Sequence, residues 1–152
     1  MTTQHYNRKI TVKNTPESAY KALTQDIEHW WTKPDVPINA VGDKAKFTFP
    51  PGQSYWTFEA ITLVPNQYIK MMCIDALHLH QGQPKAIEKE WLDTSLVFEI
   101  TANGENTDVK IEHIGLISSL LCYEVCQAGW DFFFCDSLKA YLDTGIGKPH
   151  TA

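Results

Sequence analysis

The chain has 152 residues, of which 43% are hydrophobic and 20% are charged, and its formal net charge is −5. These values are typical of one compact domain over residues 1–152, large enough to fold without disulfides or a structural metal, and the acidic balance argues against nucleic acid or anionic lipid as a partner. No stretch approaches the roughly 18 apolar residues of a membrane span, and the N-terminal residues lack the apolar region of a signal peptide, so we expect a cytoplasmic protein with no membrane partner.

The first predicted elements are one strand and two short helices. Residues 6–13 alternate between apolar and polar side chains, which indicates a strand. Thr15-Pro16 then starts a helix over about 17–23, because proline is favoured in the first helical turn. A second helix is predicted over about 26–31 and ends before Pro34, since a residue that precedes proline avoids the helical region.

A series of strands follows. Ala45, Phe47 and Phe49 alternate with polar residues, which predicts a strand with one solvated face, and Pro50-Pro51-Gly52 then turns the chain. Two hairpins are predicted beyond it, joined by Pro65-Asn66 and Asn103-Gly104. Together they imply an antiparallel sheet, with further strands at about 55–64, 67–75, 91–101 and 106–114.

The last predicted element is a long helix from about Ser119 to Thr144, which Gly145 ends. At 3.6 residues per turn, one broad face of this helix is largely aromatic. Phe132 falls on the opposite, polar face, so it is either exposed or covered by a neighbouring element. Gly129 costs the helix about 1 kcal/mol relative to alanine, and a close approach to the sheet would compensate. The predicted apolar face consists of Cys126, Trp130, Phe133, Phe134, Ser137 and Tyr141.

One sheet with a solvated face and an aromatic helix across the other face is an α+β two-layer arrangement. Stretches over nearly the whole chain also carry a family resemblance: ITVKNTPESAYKALT at 10–24, IEHWW at 27–31, EWLDTSLVFEI at 90–100, TDVKIEHIGL at 107–116 and GWDFFFCDSLKAYLDTGIGKP at 129–149. The chain resembles the START-like, or SRPBCC, superfamily, in the branch similar to activators of the heat-shock-protein-90 ATPase.

This resemblance implies a helix-grip fold. In that fold a curved antiparallel sheet of about six strands wraps around the long C-terminal helix, with two short helices after the first strand. It also implies an apolar cavity between sheet and helix. The fold hosts ligand carriers, cyclases and co-chaperones, so it does not by itself define an activity.

Strand phase predicts which polar residues face such a cavity, because alternate side chains share a face. Val109 and Ile111 share a phase with His113, which should therefore point inward. Extending the phase of the preceding strand backwards through Leu92 brings in Glu90, and pairing through the Asn103-Gly104 turn would place His113 near both. Two phases compete in the strand at 67–75: one carries Ile69, Met71 and Cys73 and would turn Asp75 inward, and the other carries Tyr68, Met72 and Ile74.

Glu90 and His113 are thus the candidate catalytic residues, since a carboxylate that orients an imidazole can serve general acid or base chemistry. The favoured alternative is an internal ion pair or a histidine satisfied by a backbone carbonyl, because no nucleophile motif accompanies them. Trp30 and Trp31 either gate the cavity or pack the short helix, and packing is favoured. The residues predicted to bind a ligand are Phe47, Met71, Phe98, Ile111, His113, Trp130, Phe134 and Tyr141.

The cysteine and histidine spacings predict no metal or other cofactor. Cys122 and Cys126 lie four residues apart and can share a helix face, but no second pair follows them. With Cys73 and Cys135 they are expected to be reduced packing residues. The motif His78-Leu79-His80 opens a polar stretch without a third ligand, so surface histidines within a mobile 78–89 connection are favoured over a functional lid.

Three classes of function remain. The leading prediction is a small-molecule binding protein that holds an apolar or amphipathic ligand between helix and sheet. The second is a cyclase- or hydrolase-like enzyme that uses Glu90 and His113. The third is a co-chaperone-like interaction domain, supported by the resemblance alone and favoured by exposed apolar side chains around Phe132. A weak homodimer and a chaperone partner are expectations of the same kind.

Overall fold

A six-stranded antiparallel sheet forms one layer of the computed structural model, which describes residues 5–49, 54–79 and 85–150. The strand order across the sheet is β1-β6-β5-β4-β3-β2, so β1 and β2 form the two edges. All neighbouring pairs are antiparallel, as the two predicted hairpins implied. The predicted turn at Pro50-Pro51-Gly52 lies outside the described residues. The strands are β1 (Tyr6–Val12), β2 (Lys44–Thr48), β3 (Tyr55–Val64), β4 (Tyr68–Leu77), β5 (Ser95–Asn103) and β6 (Asn106–Ile114).

The predicted helices are present, although the C-terminal helix begins at Tyr123 rather than at about Ser119, and the 3₁₀ helix between β4 and β5 was not predicted. α1 (Pro16–Thr24) has Thr15 as its N-cap, whose hydroxyl accepts a hydrogen bond from the backbone N–H of Ser18 at 3.1 Å. A short 3₁₀ helix follows, and a second one lies between β4 and β5. The C-terminal helix begins at α2 (Tyr123–Phe132), continues through a π-helical segment (Phe133–Leu138) and ends in α3 (Lys139–Thr144). The two 3₁₀ helices are Ile27–His29 and Lys85–Lys89.

The π-helical segment keeps one face of the C-terminal helix against the sheet. The buried residues recur at every fourth position, whereas a helix of 3.6 residues per turn rotates such a stripe by about 40° per repeat. One turn with the wider π spacing rotates it back, because its hydrogen bonds join residues five apart. The predicted face is confirmed in part: most of its members are buried, but Phe133 and Tyr141 are only half-buried, and Leu138 and Leu142 complete the buried stripe. The stripe consists of Cys126, Trp130, Phe134, Leu138 and Leu142.

A bulge in β4 corrects one strand assignment. Cys73 pairs with Phe58 and Asp75 pairs with Thr57, so Ile74 is an extra residue in β4. An extra residue reverses the facing of every side chain beyond it. Asp75 is consequently exposed rather than inward, and His78, just past the end of β4, is buried.

The start of β5 corrects a second assignment. The predicted strand included Leu92 and extended to Glu90, but β5 begins at Ser95. Asp93 has a φ of 69°, the left-handed conformation that aspartate tolerates better than most residues, and the chain turns there. His113 therefore pairs with Leu96, not with Leu92.

The core lies between the inner face of the sheet and the C-terminal helix. Val109, Ile111 and His113 of β6 are all fully buried, which confirms the predicted phase of that strand. No helix among the described residues is long and apolar enough to cross a membrane.

Candidate functional site

A cavity of about 450 Å³ lies between α2, β3 and the segment that follows β4. Its walls are predominantly aromatic, and Leu79 at its rim is exposed. The volume falls in the range of about 300–1,000 Å³ that is typical of small-molecule sites. The lining residues are Trp31, Phe49, Ser54, Trp56, His78, Leu79, Trp91, Val125, Cys126, Gly129, Trp130, Phe133 and His150.

Four tryptophans hold each other in the cavity wall. Trp91 and Trp130 stack with ring centroids 5.9 Å apart and an interplanar angle of 11°. Trp56 packs on Trp91 at 4.6 Å, and Trp31 packs on Trp130 at 5.0 Å. Trp31 therefore lines the cavity, whereas Trp30 packs beneath α1 and donates its indole N–H to the carbonyl of Ala22 at 2.7 Å. Each ring of the wall therefore packs against a ring from another part of the chain.

One polar group of a wall residue lacks a hydrogen-bond partner among the described residues. The indole Nε1 of Trp56 is buried and makes no hydrogen bond to any residue that the structure describes. A buried N–H without a partner costs about 1–3 kcal/mol, and such groups are rare in native proteins. The Nε1 atom is itself inaccessible from the cavity, so Trp56 presents the apolar surface of its ring to a bound molecule.

Gly129 borders open space instead of the sheet. A Cβ atom built on Gly129 would meet no atom within 4 Å, so the predicted close approach of backbone to sheet at this position is wrong. The residue lines the cavity, and its missing side chain keeps that part of the cavity empty.

We predict that Gly129→Ala raises the free energy of unfolding by about 0.5–1 kcal/mol, because it removes the helical cost of glycine without a clash. Urea denaturation measures this difference. A destabilisation of similar size would mean that the backbone at Gly129 is packed after all.

Two cysteines and one histidine form a buried cluster at the start of α2. One ligand atom each from His78, Cys122 and Cys126 lie within 4.8 Å of one another. Cys122 accepts hydrogen bonds from Cys126 and His78, which lower the pKa of Cys122 below its usual value, and the bond to Cys122 raises the pKa of Cys126. All four cysteines are free thiols, as predicted. The expectation that His78 lies on the surface is wrong, and His80 lies outside the described residues.

Glu90 has a structural role at the same helix start. Its two carboxylate oxygens each accept a 2.9 Å hydrogen bond, one from the backbone N–H of Leu121 and one from that of Cys122. The pairing of Glu90 with His113 is therefore wrong, since Glu90 follows the 3₁₀ helix at Lys85–Lys89 and lies outside β5. The carboxylate instead accepts from the N–H of Cys122, the N-cap residue of α2, and from the N–H of the turn residue before it.

We predict that Glu90→Ala lowers the free energy of unfolding by about 1–2 kcal/mol, the usual cost of losing a helix cap. Chemical denaturation measures the loss, and Glu105→Ala in an exposed turn serves as the matched control. Equal effects of the two substitutions would contradict the capping role.

His113 is a fully buried, neutral histidine. Trp130 donates its indole N–H to Nδ1 at 3.1 Å, so the proton lies on Nε2 and is donated to the Thr94 hydroxyl at 2.8 Å. Thr94 in turn donates to the carbonyl of Trp91 at 2.6 Å. Burial lowers the pKa of His113 to about 3. The favoured alternative, a satisfied internal histidine, is therefore close to what the structure contains, with side chains in place of a backbone carbonyl.

Most of the residues predicted to bind a ligand lie elsewhere. Of that set, Trp130 lines the cavity. Tyr141 stacks on His29 at 5.4 Å, and the other predicted residues are buried in the core. Phe132 is 43% exposed, which leaves a small apolar patch on the outer face of α2. The core residues are Phe47, Met71, Phe98, Ile111, His113 and Phe134.

Sequence reasoning missed Trp56, His78 and Trp91 as site residues. Trp56 belongs to a correctly predicted strand, so its phase was a usable signal. His78 needed knowledge of the bulge at Ile74, and Trp91 needed the true start of β5. No pattern in the sequence predicts the bulge or the late start of β5.

The family model for activator of Hsp90 ATPase homolog 1-like proteins matches residues 13–143. Among curated proteins, none matches the chain significantly.

Several solved structures have a similar fold. The Aha1 dimer from Colwellia psychrerythraea, solved in solution, is 27% identical with a TM-score of 0.73, over 97% of this chain and 100% of that chain. MLL2253 from Mesorhizobium loti is 24% identical with a TM-score of 0.66, over 85% of this chain and 91% of that chain. DynU16, a protein of the dynemicin biosynthetic locus, is 16% identical with a TM-score of 0.70, and the match spans 93% of this chain but 48% of that chain.

Proposed function

The chain belongs to the family of activator of Hsp90 ATPase homolog 1-like proteins, and we propose that it is a small-molecule binding protein whose ligand occupies the aromatic cavity. The observation that carries this proposal is a cavity of about 450 Å³ whose wall is predominantly aromatic. A packed core would fill such a volume, because protein interiors leave few voids larger than a water molecule.

The wall indicates the chemistry of the ligand. Stacked indole rings offer flat apolar surface to a planar or lipid-like molecule. Ser54, His78 and His150 also line the cavity and place polar side chains beside these rings, which favours a molecule that also carries polar groups. An amphipathic ligand satisfies both conditions, with its apolar part against Trp91 and Trp130.

A variant of Gly129 tests occupancy of the cavity without disturbing the core. Gly129→Leu places an apolar side chain in open space, and Ala128→Leu adds a similar side chain at the neighbouring exposed position of the same helix. An environment-sensitive apolar dye should bind the wild-type protein at about one site per chain. We predict that Gly129→Leu weakens dye binding by at least about tenfold, which corresponds to 1.4 kcal/mol, whereas Ala128→Leu leaves it unchanged.

Two results would contradict the proposal. Equal dye binding by Gly129→Leu and wild type would place the dye outside the cavity, and the absence of binding by wild type would remove the ligand site altogether. Native mass spectrometry of the protein as purified from cells provides an independent measurement, since a retained ligand appears directly as added mass.

The enzymatic alternative is less well supported, because its two candidate catalytic residues have structural roles. Glu90 caps α2, and both ring nitrogens of His113 are engaged in the core. Neither residue lines the cavity.

Weak self-association is a second part of the proposal. The Aha1 protein from Colwellia psychrerythraea is a dimer, and its whole chain matches the fold of 97% of this chain. Sedimentation velocity over a range of protein concentrations tests this expectation, and a single monomeric species at all concentrations would contradict it.

A further inference from the structure

We infer that His78, Cys122 and Cys126 form a binding site for one zinc ion. One ligand atom from each residue lies within 4.8 Å of the other two. In a tetrahedral zinc site with bonds of about 2.0–2.3 Å, donor atoms are separated by about 3.5–3.8 Å. Small side-chain rotations therefore suffice to close the site around an ion. The inference does not depend on the proposed small-molecule ligand, because the three side chains can bind the ion whether or not that ligand is present.

The chemistry of the donors selects the ion. Thiolate and imidazole are the preferred ligands of zinc, whereas magnesium and calcium require oxygen. Cys122 is fully buried, and His78 and Cys126 are each 6% exposed. Two thiolates and a neutral imidazole around Zn²⁺ carry no net charge, so the assembled site avoids the high cost of burying an unpaired charge.

Neighbouring groups already orient the two thiols. The indole N–H of Trp91 donates to Cys126 Sγ at 3.1 Å, a contact in which the sulfur acts as acceptor. Glu90 fixes the backbone of Cys122 at the start of α2, and the first helical turn sets its spacing to Cys126. Outer partners of this kind hold metal ligands in place and contribute about 10- to 100-fold to affinity.

The position of the cluster leaves one coordination site open. His78 and Cys126 line the aromatic cavity, so an ion held by the three residues would border it. Three protein ligands with a fourth position for water or another donor is the arrangement of zinc sites that bind small molecules. This site reverses the expectation of no metal, which rested on the spacing of Cys122 and Cys126 and could not include a third ligand from the end of β4.

The test uses the reduced protein after treatment with a chelator. Cobalt(II) serves as a visible probe, because tetrahedral thiolate coordination produces strong d–d bands and a sulfur-to-cobalt charge-transfer band. We expect one equivalent of cobalt to produce these bands and one equivalent of zinc to abolish them. Zinc affinity is then measured by competition with a chelating indicator dye.

Variants identify the ligands. Cys122→Ser and Cys126→Ser should each weaken zinc binding by more than the about 10- to 100-fold that loss of an outer partner costs. Cys135→Ser, on the same helix but outside the cluster, is the matched control and should bind zinc as wild type does. The cobalt spectrum of the wild type reports thiolate coordination even if a variant does not fold.

Stoichiometric cobalt with a charge-transfer band that survives in Cys135→Ser and disappears in Cys122→Ser supports the site. Absence of stoichiometric binding by the reduced wild type overturns the inference. Retention of the band in both Cys122→Ser and Cys126→Ser overturns it as well, since the ion would then be bound elsewhere.

Discussion

Trp130→Ala is expected to lower the free energy of unfolding by about 3–5 kcal/mol, the range for removing a large aromatic side chain from a core. Trp130 is 2% exposed and contacts Trp31 and Trp91, so the substitution enlarges the cavity and removes support from two other rings. It also leaves Nδ1 of His113 without its donor. Equilibrium unfolding in urea, followed by circular dichroism, measures the loss.

Two further variants separate the causes. Phe132→Ala removes an exposed ring from the same helix and should change stability by less than about 0.5 kcal/mol. Trp130→Phe keeps much of the apolar surface but removes the N–H, so it should cost about 1–3 kcal/mol. A loss below about 1 kcal/mol in Trp130→Ala would place Trp130 on the outer face of α2 and contradict the packing described here.

The element order and the two-layer arrangement could be predicted from the sequence because their signals are local or periodic, whereas the curved sheet around the helix was implied by the family resemblance. Alternation in β6 placed Val109 and Ile111 inward, and the turns at Pro65-Asn66 and Asn103-Gly104 defined the hairpins. The predicted strand boundaries are wrong where a single residue changes the direction of the backbone. Asp93 adopts a left-handed conformation and starts β5 late, which apolar alternation through Leu92 cannot reveal.

The site was less predictable because it depends on irregularities. The extra residue Ile74 in β4 turns His78 inward, and a bulge leaves no composition signal in one sequence. Gly129 was interpreted as a place of close packing, but the same missing side chain equally leaves a void. Strand phase predicts which side chains face the helix, yet it does not distinguish residues that fill the core from residues that border a cavity.

The cavity and the core consequently divide the aromatic residues between two tasks. Phe98 and Phe134, with ring centroids 6.3 Å apart, pack where the helix meets the sheet closely. Trp56 and Trp91 line the cavity, whose wall includes irregular segments such as the residues that follow the end of β4. His113 lies at the boundary, since its partner Trp130 belongs to the cavity wall while the imidazole itself is in the core. A titration of His113 therefore acts on both parts.

Acidification is expected to destabilise the protein through His113. Burial, with a smaller contribution from the charge of His5, lowers the pKa of His113 from 6.5 in the unfolded chain to about 3 in the folded protein. The folded state thus prefers the neutral imidazole, and the stability that this preference contributes is fully present above pH 6.5 and is lost as the pH falls towards 3. The loss is about 1.4 kcal/mol per pH unit within this window, or about 3 kcal/mol by about pH 4.

The matched variant is His113→Gln, whose amide can accept from Trp130 and donate to Thr94 but does not titrate. Hydrogen bonds also lower the pKa values of Asp108 and Asp143, so protonation of these carboxylates destabilises the folded protein on acidification. This contribution is the same in the wild type and in His113→Gln. The difference between the two pH profiles of unfolding free energy therefore isolates His113. Parallel profiles between about pH 7 and pH 4 would contradict this prediction, because they would mean that His113 is protonated in the folded protein as readily as in the unfolded chain. Nitrogen chemical shifts of the neutral Nε2–H tautomer at about pH 5 would support it.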